Sequence, residues 1–172
     1  MKYIWKKSSP KARLAFTAGI EHLTAILTET FLRKPEILES MSPEVRDLFL
    51  WHSVEETEHK SVAFDVYHQI GGDYATRALM MVYGVGGFIG SIMYFQTKLL
   101  REDSSRFNLK DYIKGVNYFF GPRGKLLPAI PKLIDYFKPS FHPNQHDTEA
   151  LLTQWRDQLF GIEGALKAQL LS

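Results

Sequence analysis

The 172-residue chain contains no cysteine. Without thiols the protein forms no disulfide and offers no thiolate ligand, so a metal site would have to use histidine and carboxylate side chains. Neither sign of charge dominates, since the chain has 21 basic and 19 acidic residues and a net charge of +2. This balance provides no electrostatic argument for a nucleic-acid partner, and we expect none.

The sequence also lacks strand-like alternation of polar and apolar residues, internal repeats and a nucleotide-binding glycine loop. Its first eleven residues, MKYIWKKSSPK, contain no apolar segment and no cleavage site of a secretory signal. We therefore expect a cytoplasmic protein. An apolar fraction of 45% is typical of folded chains, and 172 residues are close to the size of one domain. Because no strand pattern is present, we predict one all-α domain over residues 1–172.

Two long helices are predicted, over residues 9–33 and 42–70. Each begins with a serine N-cap followed by proline at the first helical position. Pro35 ends the first helix, and the Gly71-Gly72 pair ends the second. Because the link between them is short, the two helices should form an antiparallel hairpin.

A third helix is predicted from an apolar run, residues 78–97, which carries no formal charge. About 20 apolar residues suffice to cross a bilayer, so membrane association through this segment is one interpretation. Glycine, serine and glutamine dilute its hydrophobicity, and for that reason a helix buried within the protein is the interpretation we favour.

The C-terminal region, residues 109–172, is also predicted to be helical. An amphipathic helix near Leu109–Phe120 is followed by a stretch that several prolines interrupt. A last helix over residues 147–170 carries an apolar stripe at helical spacing. The stripe consists of Leu152, Trp155, Leu159, Ile162, Leu166 and Leu170.

The loop before this last helix contains two histidines, His142 and His146, and Asp147 as a possible N-cap. A turn with a cap is the simpler interpretation of this loop. In the alternative interpretation, one of the two histidines approaches a metal cavity.

Most of the candidate metal-ligating and catalytic side chains lie in the second predicted helix. At about 100° per residue, Glu55, Glu56 and His59 fall within about 60° of His52 on one face. Apolar residues lie on the same face of this helix and suggest that the face points into the core. They are Leu48, Ala63, Val66 and Ile70. Because burying carboxylates without partners costs several kcal/mol or more, a metal ion is one way to compensate them.

The first helix supplies a matching carboxylate, Glu21, on a face of small residues that another helix can approach. Glu21 lies about 18 Å from the hairpin end and the midpoint of Glu55 and Glu56 about 19 Å, so these side chains should meet. One glutamate facing a Glu-x-x-His element, here Glu56 and His59, is half of a di-iron or di-manganese carboxylate site. The alternative is a buried ion-pair network that includes Arg33 or Lys60.

In combination, these motifs resemble the bacterial predicted metal-dependent hydrolases, a ferritin-like family of largely undefined activity. The similarity extends over nearly the whole chain. It rests on Glu21-His22-Leu23-Thr24-Ala25, Trp51-His52, Glu55-Glu56, Glu58-His59-Lys60, Val62-Ala63-Phe64-Asp65-Val66-Tyr67, Asp135-Tyr136-Phe137-Lys138-Pro139, Phe141-His142-Pro143 and His146-Asp147.

The resemblance implies a partial ferritin-like bundle and a hydrolase that acts on a small molecule. Glu21, Glu56 and His59 would hold a divalent iron, manganese or zinc ion, with Glu55 and His52 as catalytic groups that activate water. A di-iron oxidase or oxygenase would suit the same ligands. A non-enzymatic helical or membrane-associated protein with an incomplete site is the third possibility.

Members of this family resemble a longer chain whose first helices bear a further glutamate and a Gln-Glu-x-x-His element. The present sequence begins after them. We therefore expect either a fragment or a homodimer in which two chains restore the ligand set.

Overall fold

A computed structural model of the chain describes residues 8–102, 108–162 and 164–166. These residues are helical or irregular and include no strand, which confirms the predicted all-α class. The α-helices are α1 (Pro10–Arg33), α2 (Pro43–Glu58), α3 (Val62–Gln69), α4 (Tyr74–Leu99), α5 (Leu109–Phe120), α6 (Ala129–Asp135) and α7 (Glu149–Phe160). Short 3-10 segments are Pro35–Leu38, Leu100–Glu102 and Pro143–Gln145.

Helix α1 is the central element, and α2, α3, α4 and α6 all pack against it. The predicted hairpin of α1 with α2 is confirmed as antiparallel. Near its turn, the rings of Phe31 and Phe49 lie 5.8 Å apart. At the other end Glu21 contacts the backbone of Ala63. As predicted, the Ser9 side chain caps α1, accepting a hydrogen bond from the Ala12 N–H at 3.1 Å.

The second predicted helix is not continuous, which corrects the expected span of residues 42–70. α2 ends at Glu58, and α3 begins at Val62 after a turn of three residues. The turn brings the Lys60 ammonium to the backbone carbonyl of His146 and to the Thr148 hydroxyl. Lys60 and His146 are 86 residues apart in the sequence, so the break between α2 and α3 could not be predicted from the residues around it.

α3 ends where the sequence predicts, at a pair of glycines. Gly71 has a φ of +73°, the left-handed conformation that glycine adopts without steric cost. Gly72 lies against the Tyr67 ring, where a Cβ atom would come within 2.2 Å of it. Both glycines are therefore required by the local geometry.

The buried apolar residues form two clusters on α1. The first joins the turn of the hairpin to α7 and consists of Leu32, Leu38, Leu50, Val54, Leu152, Trp155, Leu159 and Leu166. The second joins α1 to α3, α4 and the segment after α6. Its members are Ala18, Ala63, Phe64, Met81, Tyr136 and Phe141.

The C-terminal region departs from the prediction in two places. The last helix ends at Phe160 instead of continuing to residue 170, and Ile162, predicted to lie in the core, is 88% exposed. Gly161 caps this helix, and the chain turns back so that Leu166 is still buried. Leu170 lies outside the described residues. The proline-interrupted stretch contains a helix that was not predicted, α6, with Pro131 in its first turn where proline is tolerated.

Helix α4 contains the apolar run, and the expectation that this run is buried holds only for its first part. Contacts of Lys11 with Asp73 and of Gly19 with Met81 show that α4 runs parallel to α1. Beyond Val85 most of its side chains are exposed. By length and composition α4 could cross a membrane, and only 11% of its most apolar window is buried.

Two glycines on α4 provide a matched test of where this helix stops packing. A Cβ on Gly84 would lie 3.1 Å from the Ile20 side chain, whereas a Cβ on Gly86 has no neighbour within 4 Å. We expect Gly84→Leu to lower the free energy of unfolding by about 1–3 kcal/mol through overpacking. Gly86→Leu should leave it unchanged or raise it by up to about 1 kcal/mol through helix propensity. Urea denaturation checks both, and equal destabilisation would contradict this placement of α4.

A candidate metal site between the hairpin helices

The histidine-containing face of α2 is not the buried face, which corrects the expectation of a core-facing stripe. Leu48, one turn before His52, is 59% exposed, and Val66 and Ile70 on α3 are exposed as well. Of that line only Ala63 is buried. The face that packs on α1 instead consists of Leu50, Ser53, Val54 and Thr57.

Small hydroxyl side chains explain why this burial escaped prediction. The Ser53 hydroxyl donates to the Phe49 carbonyl, and the Thr57 hydroxyl donates to the Ser53 carbonyl, each at 2.7 Å. On α1, the Thr28 hydroxyl bonds its own helix and lies 3.3 Å from the Thr57 hydroxyl. Once their hydroxyls are satisfied by backbone, serine and threonine pack as small residues and let the helices approach.

At this close approach Glu56 bonds to the helix that carries Glu21. The Glu56 carboxylate accepts a 2.7 Å hydrogen bond from the Thr24 hydroxyl, one turn after Glu21 on α1. Both glutamates are half-buried, and they are close enough for the Glu56 charge to act on the Glu21 carboxyl. The hairpin therefore brings two carboxylates from different helices to the interface between α1 and α2, which we call the seam.

Glu21 also has a structural task that the sequence did not indicate. One of its carboxylate oxygens accepts a hydrogen bond from the Ala63 N–H at 3.1 Å. Ala63 is the second residue of α3, and the first N–H groups of a helix have no partner within it. Glu21 thus caps α3 from another helix, and its second oxygen is not engaged by this contact.

Two of the other predicted site residues, His52 and His59, lie near the seam. The His52 Nε2 is 3.6 Å from a Glu56 carboxylate oxygen. His59 is exposed at the C-cap of α2, near enough to influence the Glu21 carboxyl. Glu55, directly before Glu56, is partly exposed. As predicted, Glu58 points away from them and pairs with Arg156 at 2.7 Å.

The surroundings of Glu21 raise the pKa of its carboxyl above the ordinary value. Burial raises the pKa of the Glu21 carboxyl, the Ala63 N–H lowers it, the Glu56 carboxylate raises it and His59 lowers it. Among the residues that the structure describes, neither Glu21 nor Glu56 forms an ion pair with lysine or arginine. Arg33 pairs with Glu29, and Lys60 bonds the segment 146–148, so within the described residues neither of these two cations pairs with Glu21 or Glu56.

The donor set within one chain is small. In residues 8–102, 108–162 and 164–166, no three histidine, aspartate or glutamate side chains lie close enough together to hold an ion. In the part of the chain that the structure describes, Glu21 and Glu56 therefore do not form such a group with His52, Glu55 or His59. A metal held at the seam would need further ligands, from movement of these two histidines or from outside the chain.

The two histidines of the 142–147 loop have partners elsewhere. His142 donates to Asp65 at 2.8 Å, and its other ring nitrogen accepts from the Asn144 N–H. His146 donates to Asp135 at 3.1 Å. The loop is therefore a turn, as the simpler interpretation has it, but the N-cap of α7 is Thr148 and not Asp147. The Asp147 carboxylate still accepts from the first N–H of α7, that of Glu149.

Sequence reasoning missed a buried carboxylate, Glu29. Its side chain is 5% exposed and lies between Arg33 at 2.7 Å and Lys132 at 2.6 Å. Burial raises the pKa of Glu29, but the hydrogen bonds and charges of Lys132 and Arg33 together outweigh it, so the pKa is lowered. The Glu29–Arg33 spacing of four residues was a local signal for half of this cluster, whereas Lys132 arrives from a distant helix.

The sequence model of a family described as predicted metal-dependent hydrolase matches residues 1–147. The chain belongs to this family. The match includes all five predicted site residues and ends before α7. No curated protein and no solved structure matches the chain, so the ferritin-like relationship stays a prediction. Family membership favours hydrolysis, with a metal ion as cofactor.

Proposed function

We propose that this member of the family is a hydrolase whose divalent metal ion is held by Glu21, Glu56 and His59. One observation supports the proposal most directly. Two half-buried carboxylates from adjacent helices share a seam, and no described lysine or arginine neutralises either of them. Like charges held together in this way are stabilised by a cation between them.

The donor chemistry fits iron, manganese or zinc. Glu21 retains one oxygen beyond its bond to Ala63, and an imidazole from His59 adds the nitrogen ligand common to all three metals. When bound, such an ion lowers the pKa of a water molecule and polarises the bond to be cleaved.

His52 and Glu55 would supply proton transfer and access. His52 is half exposed beside Glu56, so its imidazole can accept a proton from water and return it to a leaving group. Glu55 is the second candidate for this role, and its partly exposed position leaves it open to a small-molecule substrate. A di-iron oxidase would use the same ligands, but the family name favours hydrolysis.

Two neighbouring substitutions test the metal assignment. We expect His59→Ala to lower affinity for Mn²⁺ by at least about tenfold, since even loss of an outer-shell partner has that effect. Glu58→Ala should leave Mn²⁺ binding unchanged, because Glu58 faces Arg156. Equilibrium dialysis followed by elemental analysis measures both. Wild-type protein that binds no stoichiometric ion, or equal losses in the two variants, would refute the assignment.

We also propose that this otherwise cytoplasmic protein attaches to membranes through α4 and α5. Helix α5 has no buried residue and presents a strongly amphipathic face, as interfacial helices do. The exposed part of α4, residues 86–99, is about 21 Å long and thus too short for the ~30 Å hydrocarbon core. Attachment to one leaflet is therefore proposed, without a membrane span.

Flotation with anionic vesicles tests the attachment. We expect the protein to float with the vesicles and to be released by carbonate at high pH, as a peripheral protein is. Ile113→Asp, on the exposed apolar face of α5, should reduce flotation, whereas Asn117→Asp should have a smaller effect. Resistance to carbonate would instead indicate a span, and absence of flotation would rule out attachment.

A further inference from the structure

Charge is distributed unevenly along the chain, and the segment 86–125, which we call the arm, carries the positive excess. The arm contains seven basic and three acidic residues, which is a net charge of +4. Since the whole chain has a net charge of +2, the residues outside the arm together carry −2. The arm includes the exposed part of α4 and all of α5. A basic segment on an otherwise slightly acidic protein favours a partner with negative charge.

The two helices of the arm repeat one apolar pattern. Each carries a stripe of four apolar side chains at spacings of four, three and four residues, which fall within about 40° of one line on a helix. The stripe on α4 is Phe88, Ile92, Phe95 and Leu99, and the stripe on α5 is Leu109, Ile113, Val116 and Phe120. Every one of these side chains is at least 36% exposed. Both stripes are therefore open to a partner outside the chain.

The stripe on α4 continues the face with which this helix packs on α1. Met81 and Gly84, which contact α1, lie on the same line as Phe88. Beyond Phe88 the line borders an apolar groove of about 650 Å³. That volume is in the range of ligand pockets, and only Ser91 and Gln96 among its lining residues are polar. An apolar chain fits this groove better than a polar ligand does.

Lysines border both stripes. On α4, Lys98 lies about 90° from the stripe, and its ammonium is 5.2 Å from the centroid of the Tyr94 ring. On α5, the exposed Lys110 and Lys114 lie about 90–130° from the stripe. Lysines at such positions extend their aliphatic part along apolar surface and carry the ammonium to the level of lipid headgroups. The arm thus presents contacts for acyl chains and for headgroups side by side.

We infer that the arm binds the anionic phospholipids of a membrane leaflet, with the two stripes among the acyl chains and the bordering lysines at the phosphate groups. The inference rests on the membrane attachment proposed above and names the class of lipid that it requires. A nucleic acid would leave the apolar stripes in water, and a second copy of the chain would bring two positive arms together. A zwitterionic membrane would leave the positive excess without a counter-charge, whereas anionic lipid satisfies both the apolar and the charged side chains.

Co-sedimentation of the full chain with two kinds of vesicle tests the lipid class. We expect vesicles with about 30% phosphatidylserine to bind it about tenfold or more tightly than pure phosphatidylcholine vesicles. The reason is that each basic residue near an anionic surface contributes about fivefold in affinity. Sodium chloride at about 0.5 M should remove most of this preference, because it screens the lysine charges from the lipid.

A matched set of lysine variants assigns the preference to the arm. The double variant Lys110→Gln/Lys114→Gln should weaken binding to the phosphatidylserine vesicles about tenfold or more and leave binding to pure phosphatidylcholine unchanged. Lys110→Arg/Lys114→Arg keeps both charges and should bind as the wild type does. Lys11→Gln is the control, since Lys11 pairs with Asp73 at the start of α4, about 39 Å along the helix from Leu99. This distance exceeds the ~8 Å screening length, so its effect should be less than about twofold.

The outcomes separate the lipid class from the attachment itself. Equal binding to the two kinds of vesicle would overturn the inference and leave the attachment intact. Absence of binding to either kind would overturn both. If Lys11→Gln weakened binding as much as the double variant does, the net charge of the whole protein would be responsible, and the assignment to the arm would be wrong.

Discussion

Trp155→Ala should lower the free energy of unfolding by about 3–5 kcal/mol. Trp155 is 8% exposed in the cluster that joins α7 to the turn of the hairpin. Its indole N–H donates to the Leu32 carbonyl at 2.9 Å. Since α1 ends at Arg33, this carbonyl has no partner within its own helix. Removing the indole therefore leaves both a cavity and an unsatisfied carbonyl.

Two further variants separate these effects in urea denaturation. Trp155→Phe keeps most of the ring and loses the hydrogen bond, so we expect a loss of about 1–3 kcal/mol. Gln158→Ala, at an exposed position of the same helix, should change stability by less than about 0.5 kcal/mol. If Trp155→Ala destabilised no more than Gln158→Ala, α7 would not be packed on the hairpin as described.

Lowering the pH from about 6.5 to about 4 should destabilise the protein by about 3 kcal/mol through His22 alone. His22 is 2% exposed, and burial lowers its pKa from 6.5 to about 4. Its Nε2 donates to the Lys132 carbonyl at 3.2 Å, and its ring packs on Tyr136 and Phe141. In this pH range the unfolded chain binds a proton at His22 and the folded chain does not. Stability is therefore complete above pH 6.5 and falls as the pH drops towards 4.

The measurement is urea denaturation as a function of pH, in EDTA so that release of metal does not contribute. His22→Gln keeps an amide that can donate to the Lys132 carbonyl but does not titrate. The free energy of unfolding that this variant loses between pH 6.5 and 4 should therefore be smaller by about 3 kcal/mol. NMR titration of the wild-type imidazole provides an independent check. An ordinary pKa near 6.5 for His22 would contradict its burial.

Local signals predicted several elements closely. α1 begins and ends beside Ser9-Pro10 and Pro35, and α5 has the bounds Leu109–Phe120 that the sequence indicated. Caps and prolines act through backbone geometry within a few residues, so their effects are visible in the sequence. Helical rise alone also placed Glu21 and Glu56 at similar heights in the hairpin, and in the structure Glu56 bonds to Thr24, one turn after Glu21.

The absence of cysteine, together with two glutamates and a histidine at matched helical positions, determined which donor chemistry this protein can offer. Only the tertiary structure decided which face of α2 is buried, since Ser53 and Thr57 become core residues through bonds to their own helix. The break after Glu58 and the capping of α3 by Glu21 depend on contacts between residues far apart in sequence. Such contacts decide burial and pairing, because a buried polar group is stable only where a distant residue satisfies it.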